Sequence, residues 1–385
     1  MEEFLRGLLC DLVRHCDVLK GRITAIPDQL DLRSHLLAAY QVVEAVRRDA
    51  VQLLADPSFG SATLLRNHLQ LYKRAQERAL FAESFALPFL ERYGQRDYRL
   101  TRLCRRLLDQ VRWPLAPPLV AAFSSQYYWT KPEFNIICVP AAEEASLLGL
   151  PDLVHELGHI LQLHCGVALL GTFLQELLGY VAQEQQRVTA QQRPPEYLAL
   201  YNHLLGQWAG NWLLEFVPDM VATYVVGPAF GWQHLRLCSG HSQQDAYHPS
   251  LGESGTHPAD EARLRGILAV LDQVGAADSG VRIKELWERY LAVSGQTKPA
   301  DYDLCYPDTL IASLARHVVV GCQSLGLRGI DQVPSNSPPA VDIPLLLCEA
   351  WERFLADPRA YLEWGPKRIE ALWQELGAAP AAGAA

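Results

Sequence analysis

The chain has 385 residues, of which 49% are apolar and 20% charged, so it can bury a large core in two or three domains, or in one domain with added subdomains. Its formal net charge of −9 excludes the overall positive field that holds nucleic acid. The one local basic run is spaced like the solvated face of a helix and consists of Arg99, Arg102, Arg105, Arg106 and Arg112. We therefore expect no nucleic-acid partner.

The start of the chain, MEEFLRGLLCDLVRHCDVLK, carries acidic residues and no small-residue cleavage site, which is not typical of a secretory signal. The most apolar stretches, residues 167–182 and 310–327, are interrupted by polar and charged residues and lack the ~20 clean residues of a membrane-spanning helix. Nine cysteines without a CxxC pair favour reduced thiols over a disulfide framework or a cysteine-based zinc site. These features predict a cytoplasmic protein with no membrane partner.

Residues 1–117 are predicted to form an N-terminal helical region, because apolar residues recur there at helical spacing. The next segment, 118–275, is predicted to form the core of the protein. It opens with VAAFSSQYYWTKPEFNIICVP, in which aromatic and β-branched residues predict a short strand at 134–140, ended by a proline. The following helix is predicted to start near Pro151 and to stop at Gly166.

Further helices are predicted through LLGTFLQELLGYVAQEQQ and, as one long apolar helix, from about residue 197 to 226. Residues 235–256 have the composition of a loop. The sequence THPADEARLRG then predicts a new helix, with Thr256 as its cap and Pro258 as its first residue.

The remainder, 276–376, is predicted to form a C-terminal helical region, and the low-complexity tail 377–385 is predicted to be disordered. The chain as a whole is therefore expected to be mainly α with a small β edge, an α+β fold.

The segment PDLVHELGHILQLHCG contains the pattern HExxH. On a helix, His155 and His159 lie one turn apart and about 40° apart in projection, so both imidazoles can reach one metal ion. Glu156 lies on the flank, where its carboxylate can accept a proton from an attacking water. The alternative is that the HExxH pattern arose by chance, in which case its residues would lie on a surface helix or be ordinary core histidines. The apolar residues around it favour a buried site, where polar groups need a partner such as a metal ion.

A catalytic zinc needs a third protein ligand. His164 follows His155 by nine positions and points to the opposite side of an unbroken helix. Glu215 and Asp219 are the better candidates, because two carboxylates in the apolar sequence NWLLEFVPDMVATYVVGPAF are costly to bury without cations. We expect Glu215 to bind the metal and Asp219 to orient a histidine; the alternative is a half-exposed helix with a salt-bridged acid pair.

The succession HELGH, EFVPD and THPADEAR resembles the gluzincin metallopeptidases, and the HPxxxxR element is similar to the branch that includes the prenyl-protein processing proteases. The resemblance covers roughly residues 133–268 and implies a zincin-like core that binds Zn²⁺. It implies that the strand at 134–139 pairs with an extended substrate. By the same resemblance, zinc is bound by His155, His159 and Glu215. Glu156 is the residue that transfers protons, and Asp219 supports one of the ligands.

Two features depart from that family. Pro218 lies inside the ExxxD spacing and removes a helix hydrogen bond to Leu214, so the helix must kink or start afresh there. The membrane helices of the prenyl-protease branch are missing, so membrane-embedded substrates are not implied.

His257 and Arg263 belong to the HPxxxxR element. Either of them, or an aromatic residue such as Tyr224, could stabilise the oxyanion that forms when water attacks a peptide carbonyl. The alternative is that THP simply starts a helix. Two further histidines, His241 and His248, lie in a polar loop and are expected to be solvated.

The sequence thus predicts a zinc-dependent peptidase that acts on a protein or peptide. One alternative is a binding or scaffold protein with a structural or vestigial metal site, although such a site does not need a free glutamate beside its ligands. Another is a zinc hydrolase that acts on a non-peptide amide. The sequence does not indicate an oligomeric state.

Overall fold

The computed structural model describes residues 2–27, 32–59, 61, 63–124, 127–140, 146–240, 246–332 and 341–376. The contacts divide the chain into two compact units. The first unit is Met1–Tyr98 with Glu133–Ile136, and the second is Arg99–Pro132 with Ile137–Ala385. The first boundary therefore lies near residue 98 instead of 117, and no boundary separates the expected core from the C-terminal helical region. The tail expected to be disordered lies outside the described residues.

The first unit is helical, as expected. Its elements are α1 (Glu2–Ala25), α2 (Arg33–Ala55), α3 (Leu65–Phe81), a wide helical turn (Ala82–Ala86) and α4 (Leu87–Arg92). Apolar residues every three or four positions give α1 a buried stripe, from Leu5 through Leu12 to Ile23. This stripe faces α2, whose buried residues include Val43 and Val46.

The second unit contains most of α5 and all the later helices. These are α5 (Gln95–Gln110), α6 (Pro151–Leu170), α7 (Phe173–Ala190), α8 (Glu196–Gln207), α9 (Leu213–Val226), α10 (Pro228–Gly240), α11 (Asp260–Gln273), α12 (Ala277–Ser294), α13 (Tyr302–Cys305), α14 (Asp308–Ser324), α15 (Ile343–Ala356) and α16 (Pro358–Leu376). The helices dominate, and a small sheet accompanies them, so the expected mainly α fold with a β edge is confirmed.

The sheet has three strands, β1 (Leu119–Ser124), β2 (Trp129–Lys131) and β3 (Ile136–Pro140), in the order β1-β3-β2. The expected strand at 134–140 exists but starts later, because Pro132–Phe134 form a short helical turn and Asn135 has a φ of +51°. It is also the central strand, so the prediction that it offers an edge to a substrate is wrong. The edge strand that packs against α6 is β2.

Several helix limits differ from the predictions. The backbone of α6 leaves helical geometry at Cys165, one residue before the predicted stop, and then continues to Leu170. The predicted long apolar helix is divided in the structure: α8 and α9 are joined by a wide helical turn at Trp208–Trp212. The predicted loop from residue 235 is wrong up to Gly240, because burial of residues such as Leu235 and Cys238 extends α10.

The helix predicted to start at Pro258 starts at Asp260 instead, so Thr256 does not cap it. Ala259 is extended, with φ −58° and ψ 139°. Its backbone N–H donates to the hydroxyl of Tyr306 at 3.1 Å, which holds the segment before α11 out of the helix.

Helices α6 and α9 lie at the centre of the second unit, where α6 packs on α9 and α14 and α9 also packs on α11. Stacked aromatic rings surround the start of α9: the ring centroids of Trp208 and Phe216 are 5.0 Å apart, and those of Trp212 and Tyr306 are 4.7 Å apart. One helix among the described residues, Pro151–Leu170, is long and apolar enough to cross a membrane, but half of its most apolar stretch is buried inside the protein.

Gly158 and Pro218 bring the backbones of α6 and α9 into close contact. A Cβ atom added to Gly158 would lie 2.6 Å from the Cα of Pro218, closer than real atoms come. The two helices are joined again beside this point, because the side-chain amide of Gln162 donates to the carbonyl of Leu213 at 3.0 Å. The proline that departs from the family pattern therefore lies directly against the glycine of HELGH.

We expect Gly158→Ala to destabilise the protein by about 1–3 kcal/mol, because the added methyl group must push two packed helices apart. It should weaken metal binding as well, since the ligands lie on these helices. The matched control is Gly179→Ala in α7, where a Cβ would meet no atom within 4 Å. The control should be neutral or stabilising by up to about 1 kcal/mol. Chemical denaturation of both variants measures the difference, and equal stability would contradict the tight contact.

Candidate metal centre

The structure brings His155, His159 and Glu215 together, with one ligand atom of each within 4.8 Å of the others. The two Nε2 atoms are 3.2 Å apart, and the imidazole rings are nearly perpendicular, at 86°. The Nε2 of His155 lies 3.5 Å from Oε2 of Glu215. Zinc binds imidazole nitrogen at about 2.0–2.1 Å, so two such ligands at a tetrahedral angle lie about 3.3–3.4 Å apart. The spacing of the three side chains therefore fits one metal ion.

Asp219 connects the centre to the rest of the core. Its carboxylate is 0% exposed, and Oδ1 lies 2.8 Å from Nδ1 of His155. Arg263 donates from Nε to Oδ2 at 2.7 Å and from Nη2 to Oδ1 at 2.8 Å. One buried carboxylate thus fixes the ring of His155 with Nε2 toward Glu215 and is itself held by a buried arginine.

The charges in the centre are strongly coupled. Burial opposes the charged form of His155, but the carboxylates of Asp219 and Glu215, which face its two ring nitrogens, outweigh it and raise the pKa of His155 to about 10. Burial and the neighbouring charge of His155 lower the pKa of His159 to about 4. Burial also opposes ionisation of Glu215, yet His155 and Arg263 lower its pKa to about 2. Glu215 is therefore a carboxylate, and a metal ion must displace a proton from His155.

Glu156 stands apart from these ion pairs. Burial, supported by the negative charges of Glu215 and Asp152, raises the pKa of Glu156 to about 8, although the charge of His155 opposes the shift. Among the described residues no side chain donates a hydrogen bond to its carboxylate, which lines the same cleft as both histidines. A carboxyl group with a near-neutral pKa facing a cleft can both accept and release a proton.

The cleft in front of the centre has a volume of about 470 Å³ and mixed apolar and charged walls. Its aromatic residues come from the segment that leads into β2, from β2 itself and from α10, and they are Tyr127, Tyr128, Trp129 and Phe230. The ring of Phe230 stacks on that of His155, with centroids 5.9 Å apart and planes 10° apart. The potential metal ligands therefore lie in the wall of an open, aromatic cleft.

His257 and Arg263 also reach the centre, but in different ways. His257 lies at the rim, with its side chain 54% exposed and Nε2 3.5 Å from Oε1 of Glu215. Arg263 is buried, and two of its nitrogens are engaged with Asp219. The suggestion of Tyr224 is wrong, because this residue is buried away from the cleft and its hydroxyl donates to the carbonyl of Leu327 at 3.1 Å.

The remaining histidines of the sequence analysis lie elsewhere. His164 is exposed on α6 and outside the cleft, as its position on the helix predicted. His248 contacts Glu253, with Nδ1 3.0 Å from Oε2. His241 lies outside the described residues.

The sequence analysis missed Asp152, which is buried in the cleft wall. Its carboxylate accepts hydrogen bonds from the hydroxyl of Tyr127 and from the side-chain amide of Gln233. A signal existed, since Asp152 precedes His155 by three residues and shares its helix face.

Comparisons with models of known protein families, with curated proteins and with solved structures find no match to this chain. What the centre can do therefore follows from its own ligand atoms and their surroundings.

We expect Glu215→Ala to lose most of the bound metal, because it removes one of three ligands. Asp219→Asn should lower metal affinity by a smaller factor, about 10 to 100-fold, since Asp219 is not one of the three potential ligands and acts on the metal through the orientation of His155. The amide keeps the shape of the carboxylate and can still accept a hydrogen bond from Arg263. Metal titration, with circular dichroism to confirm folding, ranks the two variants. Loss of metal in Asp219→Asn and its retention in Glu215→Ala would reverse the two roles.

Proposed function

We propose that the chain is a zinc-dependent peptidase of the gluzincin type, with a zincin-like core in its second unit. The observation that supports this most is Glu156, a carboxyl group with no ion pair among the described residues, which lines the cleft beside three potential ligand atoms that lie within 4.8 Å of one another. Two imidazoles and one carboxylate are a common ligand set of catalytic zinc, which leaves the fourth position open. A purely structural site would not need Glu156.

When bound, zinc supplies a Lewis acid that polarises the scissile carbonyl and makes water easier to deprotonate. Glu156 accepts the proton of the attacking water and passes it to the leaving amine. The burial of Glu156 serves both steps, because a carboxyl group with a raised pKa holds a proton long enough to deliver it.

His257 is the residue we assign to the oxyanion of the tetrahedral intermediate. It is exposed at the rim next to Glu215 and can turn its N–H toward the substrate. Arg263 lines the cleft as well, but its bonds to Asp219 give it a different task. It holds the carboxylate that orients His155, and it adds positive charge near the reacting carbonyl.

The substrate we propose is a protein or peptide that lies in extended form along β2. This strand is at the edge of the sheet and contributes Trp129 and Thr130 to the cleft, whereas β3 is in the centre. All nine cysteines are free thiols, which supports a reducing compartment such as the cytosol.

We expect Glu156→Gln to keep its zinc and to lose hydrolysis by about 10² to 10⁴-fold, because the amide is nearly isosteric but cannot accept the proton. Cleavage of a diverse peptide library, measured with zinc content on the same sample, tests this. Glu196→Gln, at the exposed start of α8, is the control and should cleave normally. Near-normal cleavage by Glu156→Gln would remove Glu156 from the mechanism.

His257→Ala should lower kcat by about 10² to 10³-fold with little change in KM, since the lost hydrogen bond forms only in the transition state. Zinc content should stay the same. His248→Ala is the matched control, because this histidine is similarly exposed in the same connecting segment but is paired with Glu253. Equal kinetics for the two variants would show that His257 does not touch the reacting carbonyl.

A further inference from the structure

A second group of potential metal ligands lies beside the same cleft, which two of its three residues, His234 and Asp260, line. His234 and Cys238 lie one turn apart on α10, and Asp260 is the first residue of α11. All three are buried, and one ligand atom of each lies within 4.8 Å of the others. Their exposed fractions are 1%, 4% and 8%, respectively. The group is thus more buried than the first centre, in which His159 and Glu215 are partly exposed, and it has no role in the proposed hydrolysis.

The distance between the two side chains on α10 fits a bound metal ion. Sγ of Cys238 lies 3.6 Å from Nε2 of His234. Zinc binds thiolate sulfur at about 2.3 Å and imidazole nitrogen at about 2.0–2.1 Å, so at a tetrahedral angle these atoms lie about 3.5–3.6 Å apart. The same i, i+4 spacing on a helix places the two histidines of HELGH on one ion.

The sequence analysis did not expect cysteine to take part in metal binding, because the chain has no CxxC pair. Only the fold brings Asp260 to Cys238 and His234, since 21 residues separate Asp260 from Cys238 along the chain. The expectation that no cysteine takes part in metal binding is therefore revised, because Cys238 belongs to one of the two potential metal-binding groups found among the described residues.

The charges and hydrogen bonds of the group leave room for a cation. Together, a thiolate and a carboxylate carry the charge that balances a divalent ion. The nearby positive charge of Arg263 is already balanced by Asp219. Nε2 of His234, the atom that faces Cys238, lies 3.1 Å from the backbone carbonyl of Asp260, so an ion would take the place of this hydrogen bond. Nδ1 has no hydrogen-bond partner among the described residues and keeps the ring proton when Nε2 binds the ion.

We propose that His234, Cys238 and Asp260 form a second metal site, which takes zinc or another divalent ion that prefers thiolate and imidazole ligands. Binding forms a metal–sulfur bond and releases the thiol proton to solvent. The ion ties α10 to the start of α11, the helix that carries Arg263. It closes a long connection between two elements of the cleft wall, so its role is to hold that wall in place.

The test measures how many metal ions the full chain binds. After saturation with zinc and removal of the excess, the unaltered protein should hold two equivalents, and His155→Ala and Cys238→Ser should each hold one. Cys322→Ser is the matched control, because Cys322 is an equally buried cysteine in α14 outside both groups, and it should still hold two.

A cobalt-substituted sample identifies the ligand of the second ion. The near-ultraviolet charge-transfer absorption of a thiolate–cobalt bond should be present in the unaltered protein and in His155→Ala. It should be absent from Cys238→Ser. Because the first centre contains no sulfur ligand, this absorption reports the second site whether or not the chain proves to be a peptidase.

One equivalent of zinc and no thiolate absorption in the unaltered protein would overturn the proposal. The three side chains would then be a hydrogen-bonded packing group, with the thiol of Cys238 bonded to the carboxylate of Asp260. If Cys238→Ser does not fold, Asp260→Asn takes its place, since the amide is nearly isosteric. Retention of both equivalents and of the cobalt absorption in that variant would likewise remove Asp260 from the site.

Discussion

The close approach of α6 and α9 is the constraint on which the metal centre depends. Gly158 has no side chain at the point where Pro218 lies, so the two helix backbones come close enough for side chains from both to meet at one point. His155 and His159 come from one helix, and Glu215 comes from the other. The first half of α6 and nearly all of α9 are buried, so packing determines their separation. A larger side chain at the contact would change the distances between the potential ligand atoms.

Charge balance is the second constraint, and it joins a third helix to the centre. Asp219 is fully buried, which would be very costly for an isolated carboxylate, but it lies between His155 of α6 and Arg263 of α11. Helices α6, α9 and α11 therefore meet at one carboxylate, and loss of any of the three charges would leave another one buried without a partner. Glu156 differs, because it forms no ion pair among the described residues and burial raises its pKa to about 8.

The sequence predicted which side chains meet in the first centre, because they follow helical periodicity, in which residues three or four apart share a face. Glu215 and Asp219 were found in the same way, as acids in an apolar helix. The order of the strands was not predictable, because pairing depends on contacts between segments and not on the pattern within one segment. For the same reason the sequence did not indicate the contact of Pro218 with Gly158, or that Asp260 lies beside Cys238. These features depend on how the helices pack in three dimensions.

The most direct test of the central claim is anomalous diffraction from crystals of the full chain grown with zinc, with data collected on both sides of the zinc absorption edge. We predict an anomalous peak about 2.0–2.2 Å from Nε2 of His155, Nε2 of His159 and a carboxylate oxygen of Glu215. Crystals grown in excess zinc that show no anomalous peak at this position would contradict the assignment of this centre as a zinc site. A peak within bonding distance of only one of the three atoms would contradict it as well.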